Sequence, residues 1–218
     1  MKWTEERVAV MDFEGTTSSG VVEYGVVVLR GAELLSSCTE LCSPTGEVSA
    51  AEARTHGLHR RHLRGVPPFR DRYEEFVELR SSVRAFAAHH ASVEDNLLKA
   101  AWPYRTAADD EADLGWGPWV DTRRLYQRLY PDLKDCSLGA LVDVFGLRER
   151  LEAEAEERCP PGRGKYHCAL FDALASALLL VAAAEIPEVA EGDFLWLLQA
   201  ASSGKKQRES IVQRDLFG

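Results

Sequence analysis

No stretch of this 218-residue sequence is apolar for long enough to cross a bilayer. The longest apolar run, residues 173–184, has the alanine–leucine composition of a core helix. The segment Met1-Lys2-Trp3-Thr4-Glu5-Glu6 is charged and has no secretory apolar region, so a cytoplasmic location without membrane association is expected. Cysteine is sparse and odd in number: Cys38, Cys42, Cys136, Cys159 and Cys168. Their irregular spacing argues against a disulfide framework or a structural zinc site and suits free thiols in a reducing compartment. Internal repeats are absent. Positive charge is in deficit, 26 Lys and Arg against 35 Asp and Glu, for a net charge of −9. That balance by itself disfavours a nucleic-acid partner.

The charge is unevenly placed, however. From Arg54 to Arg64 the sequence holds four arginines, three histidines and no acid. Residues 162–165 and 205–208 form smaller basic islands, while acids gather at 109–113 and 149–157. Each run reads as a solvated face, and the 54–64 run reads equally as a local phosphate-binding surface on an acidic protein.

With 45% hydrophobic and 28% charged residues, the chain is an ordinary globular one of single-domain size. One domain over 1–201 and a tail over 202–218 are expected. Residues 7–43 read as three strands with short connections, an antiparallel meander. Helical spacing follows over 50–58 and 69–81, with Phe69, Tyr73, Phe76 and Leu79 on one face. A buried strand is expected over 83–88, a helix over 94–102, and a strand end at Trp119-Val120-Asp121-Thr122. Helices are expected over 123–130, 137–145, 168–184 and 194–201, with Ser137 as an N-cap and Gly146 as a stop, and 148–158 reads as a charged helix or a linker. Residues 103–118 read as a loop too long for a plain connector. Strands followed by alternating helices and strands give an α/β fold with the first strand central.

Asp12-Phe13-Glu14 ends the apolar run Val8-Ala9-Val10-Met11. Side chains two apart on a strand share a face, so both carboxylates project together at a strand end. Hard divalent cations such as Mg²⁺ take all-oxygen ligands of this kind. Glu94 and Asp95 follow the 83–88 strand and open a helix. Asp172 sits inside an apolar helix, where a carboxylate needs a partner or a metal. His167 stands five residues before it, placed to hang over whatever Asp172 binds.

The order Asp12-x-Glu14, then His89 to Glu94, then His167-x-Ala169-x-x-Asp172-Ala173 resembles the three motifs of the DEDDh, or DnaQ-like, 3′–5′ exonucleases. The likeness runs over roughly 7–184 and includes His56-Gly57-Leu58, Gly65 to Phe69 and Val120-Asp121-Thr122. It implies a ribonuclease-H-like mixed five-stranded sheet with helices on both faces. It further implies metal-dependent hydrolysis of single-stranded or frayed 3′ ends, of DNA or RNA, with two divalent cations, Mg²⁺ or Mn²⁺, held by Asp12, Glu14, Asp172 and Glu94. A non-catalytic binding module with the same fold is the competing expectation. In that family the second motif usually carries Asp, so Asp95 is the alternative ligand to Glu94. His167 would be the general base, and an imidazole exchanges protons near neutral pH. Gly15, Thr16 and Thr17 stand where the family usually has a nucleotide-contacting Thr; the backbone amides of that loop would grip the terminal sugar. Phe13 and Leu58 are either base-contacting wedges or core, and His90 replaces a common Asn beside the substrate. Asp121 is expected to be structural, and Trp102, Trp116 and Trp119 to anchor core and loop.

At the tail, Gln213-Arg214-Asp215-Leu216-Phe217 is similar to the short motif that binds the bacterial sliding clamp. Gln213, Asp215, Leu216 and Phe217 would fill a small polar and a deep apolar pocket on such a partner.

Overall fold

The computed structural model describes residues 1–103 and 116–202. Five strands, β1 (Arg7–Thr16), β2 (Gly20–Arg30), β3 (Glu33–Leu41), β4 (Ala85–Ala88) and β5 (Trp119–Asp121), form one sheet in the order β3-β2-β1-β4-β5. The three long strands are antiparallel, and β4 and β5 run parallel to β1. The helices are α1 (Ala50–His56), α2 (Tyr73–Ser82), α3 (Ala91–Ala101), α4 (Thr122–Leu129), α5 (Leu138–Val144), α6 (Arg148–Arg158), α7 (Ala169–Ala184), α8 (Pro187–Ala190) and α9 (Phe194–Ala200). The expected meander, central first strand and mixed five-stranded sheet are all present. Boundaries moved: α3 begins at Ala91, and a short 3₁₀ turn over Phe69–Arg72 precedes α2. The short α8, opened by Pro187, was too brief to show a period. Ser137 occupies the N-cap of α5, but its side chain makes no capping bond. Residues 104–115 and 203–218 lie outside the described residues, and with them most of the expected 103–118 loop, the acidic run at 109–113 and the clamp-like motif.

Alternation along β1 separates two cores. Val8 and Val10 face α7, together with Val27, Leu29, Ala85, Ala87 and Val120. Ala9, Met11 and Phe13 face the other way, against Phe69, Phe76, Leu97, Leu98, Trp102 and Trp116. Helices therefore cover both faces. The helix α7 is apolar all round because it is buried almost throughout, which is what such a helix requires. Trp102 and Trp116 belong to the aromatic core, where their ring centroids lie 5.1 Å apart. No helix among the described residues is long and apolar enough to cross a membrane. Cys42, Cys136 and Cys168 are buried free thiols, Cys159 is half-buried, and Cys38 is exposed on the edge strand β3.

Candidate active site at the end of the central strand

Pairing between β1 and β4 spans Val8–Val10 and Ala85–Ala87 and then stops. Beyond that point β1 continues alone on this side, and a cleft opens at the carboxyl ends of the parallel strands, the usual place for a site in an α/β sheet. Asp12 and Glu14 project there on the α7 face. A bulge between Glu14 and Gly15 re-aims the strand end.

The helix α7 reaches this face because of Gly25. Gly25 pairs with Asp12 across the sheet, and a Cβ there would lie 2.3 Å from the Leu170 amide nitrogen. Only glycine lets the amino end of α7 rest on the strand. Asp172, in the first turn of α7, is thereby brought beside Glu14. One ligand atom each from Glu14, His167 and Asp172 lie within 4.8 Å of one another. The two carboxylates are buried and His167 is exposed. His167 has φ 62°, the left-handed region, and its amide donates to Asp172 Oδ2 at 2.9 Å. A left-handed histidine is uncommon and costs backbone energy, and such strain gathers at functional sites. Here it ties the imidazole-bearing residue to the carboxylate beneath it. Asp172 Oδ1 is buried without a hydrogen-bond partner.

Glu94 enters from the opposite side. In α3 the inward positions are Ala91, Glu94, Leu97 and Leu98, which repeat at helical spacing. Glu94 Oε2 accepts the Phe13 amide at 3.1 Å, a donor left free where β4 ends. Asp95, one position further, points away: it accepts Trp119 Nε1 at 3.0 Å and pairs with Lys99. Geometry thus brings Glu94, and not Asp95, to the acidic cluster.

These carboxylates disfavour one another's charge. Burial raises Asp12 well above the usual carboxylate range, and Glu94, Asp172 and Glu14 add to the rise. Burial, then Asp172 and Glu23, push Glu14 up to about 8. Burial raises Asp172 to about 7 against the opposing His167 amide bond, with Glu23 adding to it. Glu94 rises to about 8 by burial and by Glu14 and Asp172, against the Phe13 amide bond. A buried acidic cluster with an orphaned oxygen is suited to hard divalent cations, whose charge offsets the repulsion. Among the described residues the donor set therefore fits the expected cations.

Several contributors escaped the sequence reading. Glu23 lies directly across from Glu14, 2% exposed. Its Oε1 accepts Arg163 Nε at 2.9 Å, and its Oε2 accepts Arg163 Nη2 and, at 3.0 Å, the Ala169 amide. Arg163 Nη1 also donates to the His56 carbonyl at 2.7 Å. The basic island at 162–165 is therefore partly an internal clamp joining β2, α1 and the start of α7. The available signals were a lone Glu and a lone Gly inside the valine-rich β2.

The loop after β1 is held by its own bonds. Gly15 has φ 124°, and a Cβ there would lie 2.2 Å from the Gly20 carbonyl oxygen, so the threonine usual at this position does not fit this backbone. Thr16 and Thr17 are exposed. The Thr16 amide donates to Ser19 Oγ, and the Ser18 and Ser19 amides donate to Thr16 Oγ1. Ser19 Oγ donates to Glu52 at 2.6 Å. Of the three residues expected to grip a sugar, Thr16 already has a partner for its amide within the loop. Phe13 packs on Phe69 and Phe76, and Leu58 on Val22 and Leu63, so both are core in this conformation. His90 is exposed and accepts from Arg123. Asp121 joins two helix starts, accepting the Ala91 and Arg124 amides.

No family model matches the sequence. The chain is 25% identical over 181 residues to the PolC-type DNA polymerase III of Bacillus subtilis (strain 168), covering 81% of this chain and 11% of that much longer one. A structure of exonuclease X with 5′-overhanging duplex DNA superposes with a TM-score of 0.65 at 21% identity, covering 89% of this chain and 99% of that one. The nuclease domain of 3′hExo, a DEDDh family member bound to rAMP, superposes with a TM-score of 0.60 at 13% identity, covering 88% and 96%. The fold is that of the DEDDh 3′-exonucleases. Within this fold, Glu14, His167 and Asp172 stand together at one strand end, and Asp12 and Glu94 lie close enough for their charges to act on that cluster.

Proposed function

We propose that this chain is a divalent-cation-dependent 3′–5′ exonuclease acting on single-stranded or frayed nucleic-acid ends, DNA in the first instance, in the cytoplasm. The observation that carries this reading is the convergence of Glu14, Asp172 and His167 within 4.8 Å on an exonuclease fold. Asp12, Glu14, Asp172 and Glu94 would hold the cations, Mg²⁺ or Mn²⁺. When bound, the cations supply an acidified water and charge compensation at the leaving oxygen. The chain's own residues do the rest. A ring nitrogen of His167 accepts the proton of the attacking water, and the bond from its amide to Asp172 fixes where that ring sits. Glu94, tied to Phe13, holds its carboxylate at the cleft floor. The edges of the loop Gly15, Thr16 and Thr17, with His90 at the rim, border the path of the terminal nucleotide, and Phe13 and Leu58 back it from the core. The tail motif Gln213 to Phe217 would bring the enzyme to a sliding clamp.

The test is release of label from matched DNA and RNA single strands marked at either end. Stepwise loss from the 3′ end supports the reading, and a preference for RNA makes the enzyme an RNA trimmer. Loss from the 5′ end alone, or none with either sugar, overturns it.

A further inference from the structure

The segment 54–64 is a strongly basic surface on an acidic protein. Arg54, Arg60, Arg61 and Arg64 are all exposed, and none forms an ion pair among the described residues. Elsewhere Arg72, Arg124, Arg148, Arg158 and Arg163 each meet a carboxylate. The unpaired turn is nevertheless anchored. Leu58 and Leu63, 4% and 2% exposed, pack beneath it against Val22. The His59 amide donates to His62 Nδ1 at 3.1 Å, and Arg61 Nε lies 3.1 Å from His62 Nε2. It also adjoins the acidic cleft: the carbonyl of His56, at its base, accepts from Arg163, which grips Glu23 opposite Glu14. A cluster of like charges without internal partners is self-repelling, and a polyanion relieves that repulsion.

We propose that Arg60, Arg61 and Arg64, with Arg54 beside them, form a second contact surface that holds backbone phosphates of the strand being digested, upstream of its 3′ end. This inference rests on the exonuclease reading. It assigns the turn to strand retention and leaves the chemistry to the carboxylate cleft. Phosphate contacts of this kind position a strand without reading its sequence.

The test is equilibrium binding of a 3′-terminated single-stranded oligonucleotide without divalent cations, over a range of monovalent salt. Each phosphate contact contributes about −0.7 to the slope of log affinity against log salt for single strands. Arg60→Gln, Arg61→Gln and Arg64→Gln combined should therefore reduce the slope's magnitude by about 2. The same three positions as Lys should restore it. Hydrolysis of a p-nitrophenyl ester of thymidine 5′-phosphate, which has no upstream phosphates, should be unchanged by either triple variant. An unchanged slope in the Gln variant overturns the inference. So does an equal loss on the ester and the long strand, or a loss confined to binding of anionic phospholipid vesicles. If the wild-type protein hydrolyses neither substrate, the exonuclease reading fails separately, while the salt slope still judges the turn.

Discussion

The two walls of the cleft are built to different standards. On the α7 wall three devices converge: Gly25 admits the helix, the Glu23–Arg163 clamp holds its first amide, and the His167 amide fixes Asp172. On the α3 wall the hydrogen bond from Phe13 to Glu94 is the contact that reaches the cluster. The difference teaches where positional accuracy is concentrated. The carboxylate paired with the imidazole is over-determined, while the one that comes through the sheet is tethered by a long side chain. It also bears on the departure at Glu94. A tether of glutamate length reaches both the free Phe13 amide and the cleft.

This contrast can be broken in order of effect. Asp172→Asn should be most damaging. Losing a cation ligand removes several kcal/mol of transition-state stabilisation, at least ~10³-fold in rate at about 1.36 kcal/mol per decade. Steady-state nucleotide release would show it, and a loss under tenfold would place the cation elsewhere. Next comes His167→Gly, which should slow release by roughly 10²–10⁴-fold as the general base disappears. The same change should raise stability in urea by ~0.5–1 kcal/mol, because the left-handed backbone suits glycine and its extra chain entropy offsets only part of that gain. An inactive protein that is also less stable would argue against strain at this residue.

Glu94→Gln keeps an oxygen for Phe13 but removes the charge. As the cation-holding carboxylate on the more loosely tethered wall, Glu94 should matter less than Asp172 under the same assay, with a loss of ~10–100-fold. A larger loss than at Asp172 would reverse the ranking of the two walls.

The smallest effect is on stability against pH. Glu14, Glu94 and Asp172 have folded pKa values of about 8, about 8 and about 7, above their unfolded values. Protonated carboxyls therefore stabilise the cation-free fold at low pH, and this contribution is lost as pH rises through those values. His89 works oppositely: burial lowers it to about 4, so its contribution is lost as pH falls below ~6.5. Between pH 6.5 and 8.5 the cation-free Tm should fall, and the rise in Tm on adding Mn²⁺ should grow. A Mn²⁺ effect that is flat across this window would mean these carboxyls do not hold it.

Much of this was readable in the sequence because it is local. Asp12 and Glu14 share a face by strand period, and the sheet order follows from short connections. The burial of Glu94 over Asp95 needed the start of α3 at Ala91, since a helix turns by about 100° per residue and a small slip changes which acid points inward. Glu23, Gly25 and Arg163 matter through contacts across the sheet and along 140 residues of sequence, which no local pattern displays. The same holds for the loop after Gly15, where the Thr16, Ser18 and Ser19 amides look available in sequence and are bonded to Ser19 and Thr16 side chains in the fold.

The most direct test of the cleft as a cation-dependent hydrolytic centre is nucleotide release from a 3′-labelled single strand during a Mn²⁺ titration of chelator-treated protein. The account predicts no release after chelation and a saturable return as Mn²⁺ is added. Full-rate release in chelator, or none at any Mn²⁺ or Mg²⁺ concentration from clean protein, would contradict it.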